Sequence, residues 1–138
     1  MSARSAKGFS LLELIVVLGV LGVLLSVGGV LLSQFLAEKR LEEAAVSVSA
    51  ALRRAADQAQ TQSQSVTLSA TAAALSWQGE AGETLGAAAL PSGATLTPAA
   101  TVVFSGRGLP QTRQSFTVSL RSEAKTVHLL PTGAVIIR

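Results

Sequence analysis

Few residues in this sequence have the types and spacing that catalysis requires. The chain contains no cysteine and a single histidine, His128, which lies in a short run of alternating apolar and polar residues. That alternation predicts a surface or hydrogen-bonded histidine on a strand. The acidic residues do not cluster at metal-ligand spacing, and the Gly106–Gly108 segment lacks the lysine and the strand–loop–helix context of a phosphate loop. The sequence therefore predicts a protein that is not an enzyme and holds no metal or cofactor.

One acidic residue, Glu13, stands where its charge is costly. It lies near the start of an apolar run, and an ionised carboxylate in hydrocarbon costs on the order of a few kcal/mol. The uncharged stretch Leu14–Ala37 holds 24 residues, about 36 Å as a helix, which crosses a bilayer core of about 30 Å. The run is too long for a cleaved secretory signal, so it predicts a retained membrane helix. Within its first turn, Glu13 could also favour the helix dipole at the headgroup level.

The helical pattern continues beyond the apolar run. Apolar residues recur at spacings of three and four on one helical face, at Leu41, Ala45, Val48, Leu52, Ala55 and Ala59. We expect one helix from about Phe9 to about Gln62, with its second half lying against a sheet.

The period changes from helical to two after Ser65. Short alternating runs and glycine- or proline-containing turns predict six to eight strands in an antiparallel sheet or a two-sheet head. The runs are Val66/Leu68, Leu75/Trp77, Thr101–Ser105, Phe116/Val118/Leu120, Val127/Leu129 and Ala134–Arg138. The fold class is therefore α+β, a long N-terminal helix packed against a C-terminal β head, with Trp77 in the core.

The segment KGFSLLE, residues 7–13, closely resembles the processing site of type IV pilins and of the pseudopilins of type II secretion. The resemblance implies that a prepilin peptidase cleaves between Gly8 and Phe9 and that Phe9 is then N-methylated. It also implies that Glu13, fifth in the mature chain, meets the Phe9 amine of a neighbouring subunit in a filament. Because an unpaired buried charge is costly, this pair could set the axial register.

The same resemblance implies a division of the chain into four parts. These are a leader at 1–8, a transmembrane helix and filament core at 9–37, an amphipathic stem helix at 38–62 and an antiparallel β head at 63–138. The predicted location is the inner membrane and then a filament, as a single-pass protein with a cytoplasmic N-terminus and an outward-facing head. This orientation rests on the short segment of eight residues before the apolar run, since Arg4 and Lys7 on one flank nearly balance Lys39 and Arg40 on the other. The implied partners are the prepilin peptidase, other pilin or pseudopilin subunits through the N-terminal helix, and the inner-membrane assembly platform.

The C-terminal part is similar to the GspH/FimT branch of minor pseudopilins and minor pilins. Phe104–Gly108, Ser115–Leu120 and Lys125–Ile137 occupy the places of that branch's Phe-x-x-x-Gly segment, late strands and closing hairpin. Major pilins more often close this region with a disulfide or a metal loop. Because this chain has no cysteine and no acidic cluster for calcium, the resemblance implies a minor subunit. The resemblance leaves open whether the filament is a pilus or a secretion pseudopilus.

Two alternative functions remain open. From Thr84 onward the chain has one acidic residue, Glu123, and five basic residues that could contact DNA phosphates during natural transformation, namely Arg107, Arg113, Arg121, Lys125 and Arg138. Against DNA binding, stacking aromatic residues are absent, and Ala134 stands where DNA-binding relatives tend to have arginine. The other alternative is a single-pass anchored domain that joins no filament.

Overall fold

The computed structural model of the chain describes residues 9–138. One helix, α1, is followed by eight strands, and the chain divides into two compact units, Met1–Leu36 and Ala37–Arg138. The elements are α1 (Leu11–Gln62), β1 (Val66–Ala70), β2 (Ala74–Gln78), β3 (Thr84–Ala89), β4 (Ala94–Thr97), β5 (Ala100–Phe104), β6 (Gln114–Leu120), β7 (Glu123–Leu129) and β8 (Val135–Ile137). The predicted α+β fold, a long apolar helix followed by an antiparallel head, is confirmed.

The strands form two four-stranded antiparallel sheets. The first sheet has the order β3-β2-β1-β5 and the second has the order β4-β6-β7-β8. Because β4 and β5 belong to different sheets, the chain crosses between the sheets three times before the hairpins β6–β7 and β7–β8 complete the second one.

The core of the head is one cluster built from α1 and both sheets. All six helical residues of the predicted apolar stripe are buried, and Ala44 and Ala51 widen it. Buried residues alternate with less buried ones along β1, β2, β6 and the second half of β7. Small alanines on the helix allow the sheets to approach it closely, and the large side chains come mainly from the strands, as with Phe104 and Phe116.

Strands β3 and β4 were not among the predicted strands. β4 does alternate, with Ala94 and Leu96 buried, but over only four residues. β3 reads TLGAAA and shows little polar–apolar alternation. Gly86 pairs with Trp77 of β2, and a Cβ at Gly86 would lie 2.3 Å from the indole ring. Trp77 is buried, as predicted, and its indole N–H donates to the Gln58 side-chain oxygen of α1. The edge strand is therefore shaped by one tryptophan on its neighbour rather than by its own pattern.

Two residues other than glycine have a left-handed backbone among the described residues, Ser63 after α1 and Arg121 in the β6–β7 turn. After Gln62, Ser63 has φ 53°. Its N–H donates to the Gln60 carbonyl and the Gln64 N–H donates to the Ala59 carbonyl, each at 3.2 Å. These two bonds are a Schellman motif. In the β6–β7 hairpin, two residues connect the strands, and the first of them, Arg121, takes φ 57°.

Candidate functional site

The start of α1 is set by a serine cap. The Ser10 side-chain oxygen accepts the Glu13 backbone N–H at 3.2 Å, and the Ser10 carbonyl accepts the Leu14 N–H at 3.2 Å. Ser10 is therefore the N-cap of a helix that begins at Leu11. The spacing Ser10-x-x-Glu13 is that of a capping box. This sequence signal marks the helix start at Leu11, two residues after the predicted start at about Phe9.

Glu13 lies in the first turn of α1 with its side chain exposed. A carboxylate in this position favours the positive end of the helix dipole. Glu13 forms no salt bridge within residues 9–138. The exposed Phe9 precedes the helix, whereas Gly8, on the other side of the predicted cleavage site, lies outside the described residues.

The first unit presents apolar side chains to its surroundings along its described length. Residues from Leu11 to Leu36 include sixteen large apolar side chains that are at least 47% exposed. The helix is long and apolar enough to cross a membrane, with a mean hydropathy of 2.8 over 18 residues and none of that window buried. A surface of this kind is stable only in lipid or against other apolar helices.

Glycines leave gaps in this apolar surface without interrupting the helix. A Cβ at Gly19, Gly22, Gly28 or Gly29 would meet nothing within 4 Å. The helix continues through the Gly28-Gly29 pair. Ser26 donates a hydrogen bond to the Val23 carbonyl of the same helix at 2.8 Å. The glycines are therefore places where another helix could approach closely.

A salt bridge stands on α1 where the apolar stretch ends. The Lys39 ammonium lies 3.0 Å from a Glu42 carboxylate oxygen, and both side chains are about half exposed. The hydrogen bond and the charge of Lys39 hold the pKa of Glu42 below its ordinary value, with a further contribution from Lys125 on β7. The same hydrogen bond raises the pKa of Lys39.

The five basic residues predicted as DNA contacts do not form one patch. Arg113 and Arg121 flank the seven-residue strand β6, so their backbones lie about 26 Å apart at ~3.3 Å per residue. Arg107 is in the loop beside the end of α1, where a Cβ at neighbouring Gly106 would lie 2.8 Å from the Ser63 backbone.

The remaining two basic residues lie at different faces of the second sheet. Lys125 is half-buried on the core-facing side of β7, within electrostatic reach of Glu42. Arg138 is exposed and its backbone pairs with Thr126. No single surface therefore combines all five side chains.

His128 has a local structural role in the second sheet. Its Nδ1 lies 2.8 Å from the hydroxyl of Ser115, its cross-strand partner on β6. This confirms the predicted hydrogen-bonded strand histidine. Among residues 9–138, no three histidine, cysteine, aspartate or glutamate side chains converge as a metal site would require.

Comparisons with known proteins agree with this architecture. Residues 3–29 match the prokaryotic N-terminal methylation motif. A crystal structure of the type IV minor pilin FimU from Pseudomonas aeruginosa strain PAO1 superposes with a TM-score of 0.63 at 17% identity, over 75% of this chain and 92% of FimU. The fold is type IV pilin-like. A second crystal form of FimU gives a TM-score of 0.59 at 16% identity, over 71% and 92% of the two chains.

Motif and fold together define what this pilin-like chain has in common with its relatives. At 17% identity the likeness to FimU establishes the fold, and no curated protein sequence matches the chain significantly. The methylation motif implies processing by a prepilin peptidase and assembly with other pilins. The apolar helix and the motif fit a membrane-anchored pilus subunit.

Proposed function

We propose that the chain is a minor pilin, a structural subunit that enters a type IV pilus after removal of its leader. The observation that carries this proposal is the methylation motif at residues 3–29, which begins an exposed apolar helix joined to a pilin-like head. The proposed location is the inner membrane, with the N-terminus in the cytoplasm and the head outside. The proposed partners are other pilin subunits and the inner-membrane assembly platform.

Processing supplies a positively charged partner for Glu13, which forms no salt bridge within residues 9–138. Hydrolysis of the Gly8–Phe9 peptide bond leaves an ammonium group on Phe9, and methylation keeps it cationic. In a bundle of apolar helices, the Glu13 carboxylate of one subunit and the Phe9 ammonium of the next are each costly alone and much less so together. Subunits would then stop at the register where the two groups meet.

The processing step is tested by intact-mass spectrometry of the full chain produced with a prepilin peptidase and its methyl donor. We expect the mature mass to lack residues 1–8 and to include one added methyl group. Gly8→Val should keep the leader, because the branched side chain obstructs the scissile bond. Gly19→Ala, at a glycine with open surroundings, should be processed like the wild type. Equal processing of Gly8→Val would contradict the cleavage assignment.

The register role is tested by filament incorporation of processed variants. Glu13→Gln keeps the side chain's size and its backbone cap but removes the charge, so we expect at least about tenfold less incorporation, equivalent to ~1.4 kcal/mol. Glu13→Leu should behave similarly while remaining in the membrane. Wild-type incorporation of Glu13→Leu would show that the charge pair does not set register.

A subunit of a type II secretion pseudopilus is one alternative to this proposal. A type II secretion pseudopilus would use the same processing and the same helix, and the GspH/FimT resemblance of Phe104–Gly108 and the closing hairpin applies to both systems. A test that separates them is which assembly, pilus or secretion, fails when the chain is deleted. We expect pilus assembly to fail.

DNA binding is the alternative use of the head, and the scattered placement of its candidate residues argues against it. We expect no gel shift of double-stranded DNA by the full chain in detergent, even at low salt. A shift that weakens steeply with salt would instead indicate phosphate contacts. If Arg107→Ala and Arg113→Ala then reduced it, the DNA-binding alternative would replace the purely structural one.

A further inference from the structure

The solvent-facing side of α1 carries a second regular stripe, opposite the buried one. At about 100° per residue its positions are centred roughly 180° around the helix from the buried stripe at Val48. None of its members is buried, and Val46 is the only large apolar residue of α1 between residues 37 and 62 that is exposed. This outer stripe follows alternating steps of four and three residues and consists of Lys39, Glu43, Val46, Ala50, Arg53, Asp57 and Gln60.

The charges of the outer stripe follow one pattern. Lys39 precedes Glu43 by four residues, and Arg53 precedes Asp57 by four, so that the basic residue comes first in both pairs. Within a single helix this order is less favourable than the reverse. In residues 9–138 Lys39 instead contacts Glu42, whereas Glu43, Arg53 and Asp57 form no salt bridge. Three charges of the stripe therefore have no ion-pair partner within the described chain.

A second copy of the helix matches this pattern when it runs in the same direction and is displaced by four residues. The two acidic residues of one stripe then lie level with the two basic residues of the other. Between these charge pairs, Ala50 of one copy lies level with Val46 of the other. The displacement is about 6 Å along the helix axis. Apolar contacts flanked by opposite charges are typical of parallel helix pairs.

Other displacements match fewer charges of the stripe. Without displacement, every charged residue lies level with the same residue of the second copy, so like charges meet. A displacement of ten residues brings only Arg53 level with Glu43, and one of fourteen residues again brings like charges together. Four residues is therefore the displacement at which the outer stripe complements itself.

The direction of the second copy is set by its anchor. An antiparallel pair would also match opposite charges, but it would direct the two apolar stretches toward membranes on opposite sides. A parallel pair leaves both in one membrane, where a difference in depth of about 6 Å can be absorbed by tilt. Because the outer stripe lies opposite the buried face, the two heads lie on opposite sides of the helix pair and do not collide.

We propose that the outer stripe is a homotypic docking surface, on which α1 of a second copy packs in parallel with a displacement of four residues. The inference rests on the proposed function in one respect, because anchoring in one membrane is what aligns the two helices. The contact joins the water-exposed halves of α1 and is separate from the apolar stretch before them.

Each contact in the outer stripe is weak on its own. Exposed charge pairs contribute little individually and are screened by salt. Two anchored copies, however, meet at a high effective concentration. The pair is therefore expected between full-length chains in membranes, and it should weaken as the salt concentration rises.

Cysteine cross-linking tests the displacement, because the chain contains no cysteine. Full-length Val46→Cys and Ala50→Cys chains with different tags are produced together with a prepilin peptidase and oxidised mildly in membranes. We expect the mixed dimer to exceed the dimer of either variant with itself by at least about fivefold, since only the mixed pair brings the two sulfur atoms level. Arg40→Cys is the control, exposed on the same helix but about 120° around it from Val46, and it should give little dimer.

Charge reversals in the same chains test the ion pairs. Arg53→Glu in the Val46→Cys chain should lower the mixed dimer by about threefold, because like charges then lie level. Asp57→Arg in the Ala50→Cys chain should do the same. The two reversals together, one on each chain, should restore the dimer. Each chain would still have like charges four residues apart, so restoration reports a contact between chains. Circular dichroism melts of each variant in detergent report whether the head is folded.

Three outcomes would overturn the proposal. The first is no more mixed dimer than folded Arg40→Cys gives. The second is a Val46→Cys dimer with itself as abundant as the mixed dimer, which would exclude the displacement. The third is a cross-link only to a different protein. The mass of the same chains shows whether the leader has been removed, so a failure of the proposed processing is distinguished from a failure of the pair.

Discussion

Single residues decide where the elements of this protein begin and end. Ser10 caps the first turn of α1 through the Glu13 N–H. Ser63 ends the same helix in a left-handed conformation that glycine adopts more easily. These boundaries matter for function because the first places Phe9 just before the helix and the second turns the chain into the head.

Ser63→Gly is predicted to stabilise the head. A non-glycine residue in the left-handed region costs about 1–2 kcal/mol, and glycine recovers part of that cost against its greater freedom in the unfolded chain. We expect the free energy of unfolding to rise by about 0.5–1 kcal/mol, measured by denaturant titration. Ser65→Gly is the control, because Ser65 does not have positive φ, and it should destabilise. A loss of stability in Ser63→Gly would contradict the Schellman interpretation.

The two halves of α1 require different surroundings to be stable. In the first unit its apolar residues are exposed and require lipid or other helices. In the second unit one face is buried in the head while the opposite face carries charges. The change occurs near Lys39, where the first charged residues follow the apolar stretch.

Val48 and Val46 provide a matched test of the buried face. Val48 is fully buried and Val46, two residues earlier on the same helix, is 51% exposed. Val48→Ala should lower the free energy of unfolding by about 2–3 kcal/mol, through lost burial and the cavity that remains. Val46→Ala should change it by less than about 0.5 kcal/mol. Denaturant titration measures the free energy of unfolding of both variants. Equal losses in the two would contradict the burial of Val48 in the core.

The Lys39–Glu42 salt bridge predicts a small acid dependence of stability. Lys39 holds the pKa of Glu42 below its ordinary 4.5 in the folded chain. The stabilising contribution is therefore complete above about pH 4.5 and disappears as the pH falls through the lower folded-state pKa. Because both side chains are well exposed, the effect is expected to be small.

Thermal melts at several pH values between about 6 and 3 would detect this contribution. Glu42→Gln should lose less stability than the wild type over this range, because it has no carboxylate to protonate. Glu80→Gln, in the β2–β3 turn, is the matched control and should follow the wild type. An unchanged acid dependence in Glu42→Gln would show that the pair contributes nothing.

At the scale of the whole molecule, the two units differ in what they need in order to be stable. Ala37–Arg138 contains the complete hydrophobic core. The described residues of the first unit contribute nothing to that core. The head is thus suited to an aqueous environment, and the helix before it to an apolar one.

A chain reduced to residues 37–138 is predicted to fold on its own. We expect it to remain in the soluble fraction and to unfold in one cooperative transition, since it keeps both sheets and the packed half of α1. The full chain should instead enter the membrane fraction. Circular dichroism melts and membrane fractionation test this, and aggregation of the reduced chain without a transition would contradict it.

Much of the fold followed from periodicity. The stripe from Leu41 to Ala59 and the alternation in β1, β2, β6 and β7 predicted the buried faces, because burial on one face imposes a period on the sequence. β3 was not predicted, and the reason is physical. Gly86 is required by the indole of Trp77 on a neighbouring strand, so its cause lies in a contact between strands rather than in its own segment.

The sequence by itself determined the pilin-like character of this protein, because the motif, the apolar length and the helical stripe are local properties of the chain. Only the tertiary structure decided where the C-terminal residues lie relative to one another. It separated Arg113 from Arg121 along β6 and placed β8 at an edge of the second sheet. Those outcomes depend on strand order and register, which are set by contacts between segments far apart in the sequence.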